Sequence, residues 1–122
     1  MSNDFSEKLI IRSKKVAVEV ITYIRRLPKD NVNYVISNQI IRSVLSVGAN
    51  ITEGQGGSSK RDFVNFLRYA LKSANETIYW LQIVGLVSTV DGKQIKYLEE
   101  ELIEIAKILG ASISTISKDL GR

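Results

Sequence analysis

The sequence predicts an all-α protein, an antiparallel up-down-up-down four-helix bundle, and three observations support this. Apolar residues recur every three or four positions along four separate segments. Turn-forming residues stand between those segments, and no segment alternates apolar and polar residues as a half-buried strand does. The chain has 122 residues, an ordinary length for one domain. We therefore expect a single bundle over residues 1–122, with short connections and antiparallel neighbours.

The first two helices are expected over residues 4–27 and 33–53. The first has apolar residues along one side and ends at Pro28, the only proline of the chain. The second helix aligns five apolar residues at helical spacing: Ile36, Ile40, Val44, Val47 and Ile51.

The third and fourth helices are expected over residues 59–87 and 93–120, with a turn at Asp91-Gly92 between them. The predicted core stripe of the third helix is Phe63, Leu67, Ala70, Leu71, Ala74, Ile78 and Leu81. That of the fourth helix is Ile95, Leu98, Leu102, Ile105, Leu109, Ile113, Ile116 and Leu120.

The third helix has more apolar surface than one bundle requires. Beside its core stripe runs a second stripe of Phe66, Tyr69, Ser73, Thr77, Trp80 and Val84. Ile41 and Leu45 widen the apolar side of the second helix in the same way. One explanation of this extra apolar surface is a thick core. The other is self-association, because a four-helix monomer should leave each helix one polar face. For self-association the candidate interface residues are Phe66, Tyr69, Trp80, Val84, Ile41 and Leu45.

Composition excludes several kinds of chemistry. The chain has no cysteine and no histidine, which excludes disulfides, thiolate nucleophiles, imidazole bases and the usual zinc ligands. We expect no cofactor, no metal and no small-molecule substrate. The first ten residues lack the layout of a signal peptide, and no run of 18 apolar residues occurs. A cytoplasmic protein without a membrane segment is expected, and its net charge of +4 is compatible with a polyanionic partner.

The stretch NITEGQGGSSKRDF (residues 50–63) is both glycine-rich and basic, which raises the question of a phosphate-binding loop. It follows a helix rather than a strand, and Lys60 follows a serine rather than a glycine, so known glycine-rich phosphate loops do not match. A turn between two helices fits better. Gly54 is expected to adopt a left-handed conformation that ends the second helix. Ser59 is expected to cap the third helix, with Asp62 completing a capping-box-like pair.

Several motifs of the second and third helices occur together in one known family. They are Gln39-Ile-Ile-Arg42, Ser46-Val-Gly-Ala-Asn50-Ile-Thr-Glu53-Gly54, Asp62-Phe63, Phe66-Leu67, Ala70 and Ser73-Ala-Asn-Glu76. With them the chain resembles the four-helix bundle family named from proteins encoded in intervening sequences of bacterial 23S rRNA genes. The resemblance covers about residues 9–109. It implies a cyclic homopentamer. Through a distant branch, the accessory proteins of diversity-generating retroelements, it also implies association with RNA or DNA. The chain departs from the family at Gly48, often proline, and at Gly57, often arginine.

Two pairs of polar residues belong to these motifs. We expect Asn50 and Glu53 to tie the turn to neighbouring backbone amides, and Ser73 and Glu76 to pair between helices. The reason is that an unpaired buried polar group costs about 1–3 kcal/mol. A ligand site at these residues is the alternative.

Basic residues form two stripes at helical spacing. Lys8, Arg12, Lys15 and Arg26 share one side of the first helix, and Arg61, Arg68 and Lys72 share a side of the third with Asn65 and Tyr79. Such stripes are also typical of an ordinary solvated face. Together with Lys60, which could help a helix N-terminus accept a phosphate, they are the candidate nucleic-acid-binding residues.

Glu101 and Glu104 are the best argument for an enzyme, because carboxylates three residues apart on a helix can hold magnesium. The second half of the metal motif of helical nucleotide pyrophosphatases is missing, so a solvated face is favoured. The sequence therefore predicts a non-enzymatic, homo-oligomeric scaffold that binds nucleic acid or a ribonucleoprotein. The alternatives are a protein-interaction module without nucleic acid and, more weakly, a magnesium-dependent nucleotide hydrolase.

Overall fold

The computed structural model describes residues 3–88 and 92–121, and they form four long α-helices. These are α1 (Asn3–Ile24), α2 (Asn31–Gln55), α3 (Lys60–Val87) and α4 (Gly92–Leu120). Each helix packs against the next one in the chain, and α1 closes the bundle against α4, so the up-down-up-down prediction is confirmed. Asp91, which belongs to the predicted turn, lies outside the described residues.

The connection between α1 and α2 begins earlier than predicted. The first helix ends at Ile24 rather than at residue 27, and Arg26 and Leu27 donate instead to carbonyls three residues back in a tight turn. Proline disfavours a helical conformation in the residue before it, which explains why the helix stops ahead of Pro28. The next helix is capped by Asp30, whose carboxylate accepts the Asn33 backbone N–H at 2.8 Å.

The core runs along the bundle axis and is built from all four helices. The five aligned residues of α2 are all buried, as predicted. In α3 the buried stripe is rotated from the predicted one, because this helix packs against both α2 and α4. Phe63, Leu71 and Ile78 are only partly buried, whereas Val64, Thr77 and Val84 are almost fully buried. Among the described residues, no helix is long and apolar enough to cross a bilayer.

The prediction that Gly54 ends α2 in a left-handed conformation is wrong. The helix continues through Gly54 to Gln55, and no described glycine has a positive φ. The residue is buried where α2 meets α3, and a Cβ there would lie 3.0 Å from Phe66 Cβ and 3.1 Å from Phe63 Cδ1. Gly54 therefore allows the two helices to approach closely.

Ser59 is the N-cap of α3, and its Oγ accepts the Asp62 backbone N–H at 3.1 Å. The reciprocal half of the expected capping box is shifted by one residue. The Asp62 carboxylate accepts from the Ser58 hydroxyl at 3.1 Å and from the Ser58 backbone N–H at 3.4 Å. The turn is thereby fixed by both serines, and its acidic residue is engaged in capping.

One buried polar contact joins α2 to α3. Thr77 Oγ1 lies 2.8 Å from both Ser43 Oγ and the Ser73 carbonyl, and Ser43 Oγ lies 3.2 Å from the Ile40 carbonyl. Each hydroxyl has one proton, so either Thr77 donates to Ser73 while Ser43 donates to Thr77, or Thr77 donates to Ser43 while Ser43 donates to Ile40. Both arrangements satisfy the two hydroxyls and link the helices.

Candidate nucleic-acid interface

One basic surface of the bundle lies where α3 meets the end of α4. Arg61, Arg68 and Lys72 stand at spacings of seven and four on α3, and all three are exposed. We call them the α3–α4 basic surface. Arg61 and Arg68 border a shallow cavity of about 380 Å³ that also reaches Ser117 and Gly121 near the end of α4. Long cationic side chains beside a depression that contains a serine hydroxyl and an asparagine amide suit phosphate groups.

Two neighbouring side chains hold the guanidinium of Arg68. It donates to Asn65 Oδ1 at 3.3 Å within α3 and to Ser117 Oγ at 3.1 Å across the helix pair. Both partners are neutral, so the full positive charge stays available, and a guanidinium has five N–H donors of which these contacts use two. Ser117 could not be predicted as a partner, because it lies 49 residues away in the chain.

No cation of the α3–α4 basic surface forms an ion pair within the part of the chain that the structure describes. The carboxylate of the nearest acid in sequence, Asp62, accepts from Ser58 and forms no ion pair with these cations. These three charges are therefore accessible to an external anion.

The basic stripe of α1 is different, because its central residue is neutralised. Arg12 forms a bidentate pair with Glu101 of α4, with Nε–Oε1 at 2.5 Å and Nη2–Oε2 at 3.2 Å. This hydrogen bond lowers the pKa of the Glu101 carboxyl below its ordinary value and raises that of Arg12. Arg12 joins α1 to α4, and its charge is already paired with a carboxylate.

The other predicted basic residues are scattered. Lys8 pairs with Asp4 at 3.4 Å on the exposed surface of α1. Lys15 is exposed, and its charge also lowers the pKa of Glu101. Arg26 lies beyond the end of α1 at the opposite end of the bundle from Lys60, the first residue of α3. The structure therefore does not assemble α1 and α3 cations into one surface.

The predicted bracing by Asn50 and Glu53 is wrong. Asn50 Nδ2 donates to the Ser46 carbonyl at 2.8 Å inside its own helix, and the backbone amides of Gly56 and Gly57 donate to α2 carbonyls rather than to its side chain. Glu53 is exposed, and its carboxylate forms no hydrogen bond or ion pair with a described residue. The turn is held instead by backbone bonds from Gly56 and Gly57 to the last turn of α2.

Ser73 and Glu76 do not pair between helices either. Glu76 accepts from Trp80 Nε1 at 3.3 Å one turn further along α3. Ser73 contributes its backbone carbonyl to Thr77 rather than a cross-helix side-chain bond. The expected interhelical polar contact exists, but Ser43 and Thr77 make it.

The candidate interface residues lie on two separate surfaces and in the core. Phe66 and Tyr69 stack edge to face at 6.2 Å on α3, and Trp80 is partly buried further along that helix. Leu45 is 49% exposed. It is two residues, or about 200°, from Ser43, which faces α3, so Leu45 and the half-buried Ile41 belong to the other side of α2. Val84 is 1% exposed, so its assignment to an interface is wrong.

The acidic cluster of α4 does not resemble a metal centre. Glu101 is held by Arg12, and Glu104 lies 3.8 Å from Lys107. No group of three or more candidate ligands gathers anywhere in residues 3–88 or 92–121.

Comparison with known proteins identifies the family. The model of the 23S rRNA-intervening sequence protein family matches residues 7–111. The chain belongs to this family. A solved Bacteroides thetaiotaomicron structure, described as a protein with unknown function from the S23 ribosomal protein family, is 34% identical. It has a TM-score of 0.81, over 89% of this chain and 97% of that one. None of the curated proteins compared with the chain matches it significantly.

Proposed function

We propose that this 23S rRNA-intervening sequence protein is a non-enzymatic scaffold that forms a homo-oligomer and binds RNA through the α3–α4 basic surface. The observation that carries the proposal is the state of Arg68. Neutral partners orient its guanidinium beside Arg61 and Lys72, and no carboxylate of a described residue neutralises any of the three. The family description refers to 23S rRNA and that of the Bacteroides protein to a ribosomal protein family, which supports testing RNA first.

The oligomer, for which we propose five copies in a ring, would strengthen this binding. Three cations per copy form few phosphate contacts, but a ring repeats them, and linked contacts on one RNA add by avidity. The exposed aromatic ring of Tyr69, beside Phe66, and the exposed side chain of Leu45 are the surfaces proposed for contacts between copies. Tyr69→Asp and Leu45→Asp should each be tested by light scattering, where five chains of 13.7 kDa amount to about 68 kDa. A monomeric mass for the unaltered protein would contradict the oligomer.

RNA binding is tested by removing the three charges together. In Arg61→Gln/Arg68→Gln/Lys72→Gln, the affinity for a fluorescein-labelled RNA at 100 mM salt should fall by about 10-fold or more, because each lost phosphate contact forgoes its counterion release. The readout is fluorescence anisotropy.

The matched control is Lys14→Gln/Arg42→Gln/Lys96→Gln, which removes three exposed cations without ion pairs elsewhere on the bundle. Its net charge changes equally, so it should bind nearly as the unaltered protein does. Equal losses in the two variants would show that only net charge matters. An oligomer that binds no RNA would favour a protein-interaction module instead.

A further inference from the structure

A second candidate site lies at the α1–α2 corner, at the end of the bundle opposite the α2–α3 turn. A cavity of about 440 Å³ opens between the end of α1, the connection over residues 25–30 and the first three turns of α2. We call it the corner cavity. Its volume falls within the range of pockets that hold small organic groups. Among the residues around it, only Ile41 is a functional candidate predicted from the sequence, as part of an interface.

The corner cavity offers an aromatic platform. Its inner wall is apolar, formed by Ile24 and Leu27 of the core and by half-buried Ile41. At its rim stands Tyr34, whose side chain is 70% exposed although it is large and aromatic. The ring stacks on no other described ring. An exposed aromatic face beside an apolar wall suits a planar group such as a nucleobase.

The charge around the corner cavity favours an anionic ligand. Arg25 and Lys29 line it, both are exposed, and neither forms an ion pair with a described residue. Among the described residues of its wall, Asp30 is the only one with a carboxylate, and it caps α2 by accepting from the backbone and side-chain nitrogens of Asn33 at 2.8 and 3.3 Å. Two cations against one engaged carboxylate leave a net positive rim.

Amide side chains complete the wall. Asn31 and Asn38 are exposed at the corner cavity and form no side-chain hydrogen bond with a described residue, in contrast to Asn33, whose amide is used by Pro28 and Asp30. An amide both donates and accepts, which is what the edge of an unpaired base requires.

We propose that the corner cavity binds one unpaired nucleotide of single-stranded RNA, with its base stacked on Tyr34 and its flanking phosphates on Arg25 and Lys29. The proposal rests on the proposed function, since it adds a base-binding subsite to an RNA-binding protein. The corner cavity and the α3–α4 basic surface should differ in which form of RNA they select. Phosphate contacts accept single strands and duplexes alike, whereas stacking in this cavity requires an unpaired base.

The test compares a fluorescein-labelled 12-nucleotide single-stranded RNA with a 12-base-pair RNA duplex, measured by anisotropy on the full chain. Tyr34→Ala should weaken binding of the single strand about 5- to 150-fold, the range that loss of one stacked base produces. Binding of the duplex should change by less than about twofold. Tyr34→Phe keeps the ring and should restore binding of the single strand. Tyr97→Ala removes another exposed tyrosine ring, from α4, and should change neither affinity.

Three results would overturn the inference: an unchanged affinity of Tyr34→Ala for the single strand, equal losses for single strand and duplex, or a change in oligomeric mass caused by the substitution. The last would make the cavity a contact between copies of the chain. If Tyr34→Ala has no effect while the Arg61, Arg68 and Lys72 variant still loses affinity, the corner cavity fails and the proposed function stands. If the unaltered protein binds neither RNA, both fail.

A direct readout is photo-crosslinking of the single strand carrying 4-thiouridine, followed by mass spectrometry. Crosslinks should map to the peptide that contains Tyr34 and should disappear in Arg25→Gln/Lys29→Gln, because the RNA then lacks its phosphate contacts at the rim. Crosslinks confined to α3 or α4 would contradict the placement of the base.

Discussion

Replacing Gly54 by alanine tests how closely α2 and α3 pack, and two effects of opposite sign compete. Gly54 lies inside α2, so alanine gains about 1 kcal/mol of helix propensity. The added methyl group, however, would lie 3.0 Å from Phe66 Cβ and 3.1 Å from Phe63 Cδ1. Carbon atoms in favourable contact are about 3.5–4.0 Å apart, so something must move by roughly half an ångström.

The Phe63 ring can rotate away from the added methyl group. Phe66 Cβ is bonded to the backbone of α3, so its close contact with the methyl group can be relieved only if the two helices separate. Overpacking of this kind costs typically about 1–3 kcal/mol. Against the gain in propensity, the expected net effect is a loss of about 1 kcal/mol in the free energy of unfolding. For a chain of this size that corresponds to a melting temperature lower by about 4 °C.

Gly110→Ala is the matched control. Gly110 is also inside a long helix, but a Cβ there meets nothing within 4 Å. Only the propensity term remains, so this variant should melt about 2–4 °C higher than the unaltered protein. Both variants should be followed by circular dichroism during heating at one fixed protein concentration, since self-association makes the melting temperature depend on concentration. If Gly54→Ala is stabilised as much as Gly110→Ala, the close contact at Gly54 is refuted.

Three further predictions concern single contacts. Arg12→Gln should lower the free energy of unfolding at pH 7 by about 0.5–1 kcal/mol, because the pair is partly exposed. The pKa of Glu101 is lowered in the folded state, so this stabilisation should be present above the ordinary value of 4.5 and lost at lower pH. Urea titrations showing a constant difference down to pH 3 would contradict this. Thr77→Val and Ser43→Ala should show a coupling energy of about 1 kcal/mol in a double-mutant cycle, and additivity would refute their contact. Ser59→Ala should cost about 1 kcal/mol in thermal unfolding through loss of the α3 cap, and an unchanged melting temperature would exclude that role.

The fold followed from sequence periodicity where a helix has one clear apolar stripe. In α2 the five aligned residues Ile36, Ile40, Val44, Val47 and Ile51 are all buried, because the spacing itself determines which side can face a core. In α3 two adjacent stripes compete, and periodicity cannot decide how far a helix rotates between two neighbours. The second stripe predicted for α3 therefore includes Val84 and Thr77, although both lie in the core.

The candidate site was predicted less completely, because charges are neutralised by residues distant in the chain. Arg12 and Arg68 stand in similar stripes in the sequence. The structure places Arg12 against Glu101, 89 residues away, and Arg68 against the neutral Ser117. Those partners determine which cation remains available, and helix spacing contains no information about them. The local prediction that Ser59 caps α3 needed only residues within one turn, and the structure shows that contact.

The most direct test of RNA binding by the α3–α4 basic surface is the salt dependence of affinity. The logarithm of the binding constant for single-stranded RNA should fall linearly with the logarithm of salt concentration, with about 0.7 in the slope for each phosphate contact. Arg61→Gln/Arg68→Gln/Lys72→Gln should reduce that slope by about 2, whereas Lys14→Gln/Arg42→Gln/Lys96→Gln should leave it unchanged. Identical slopes for the unaltered protein and the Arg61, Arg68 and Lys72 variant would contradict the account.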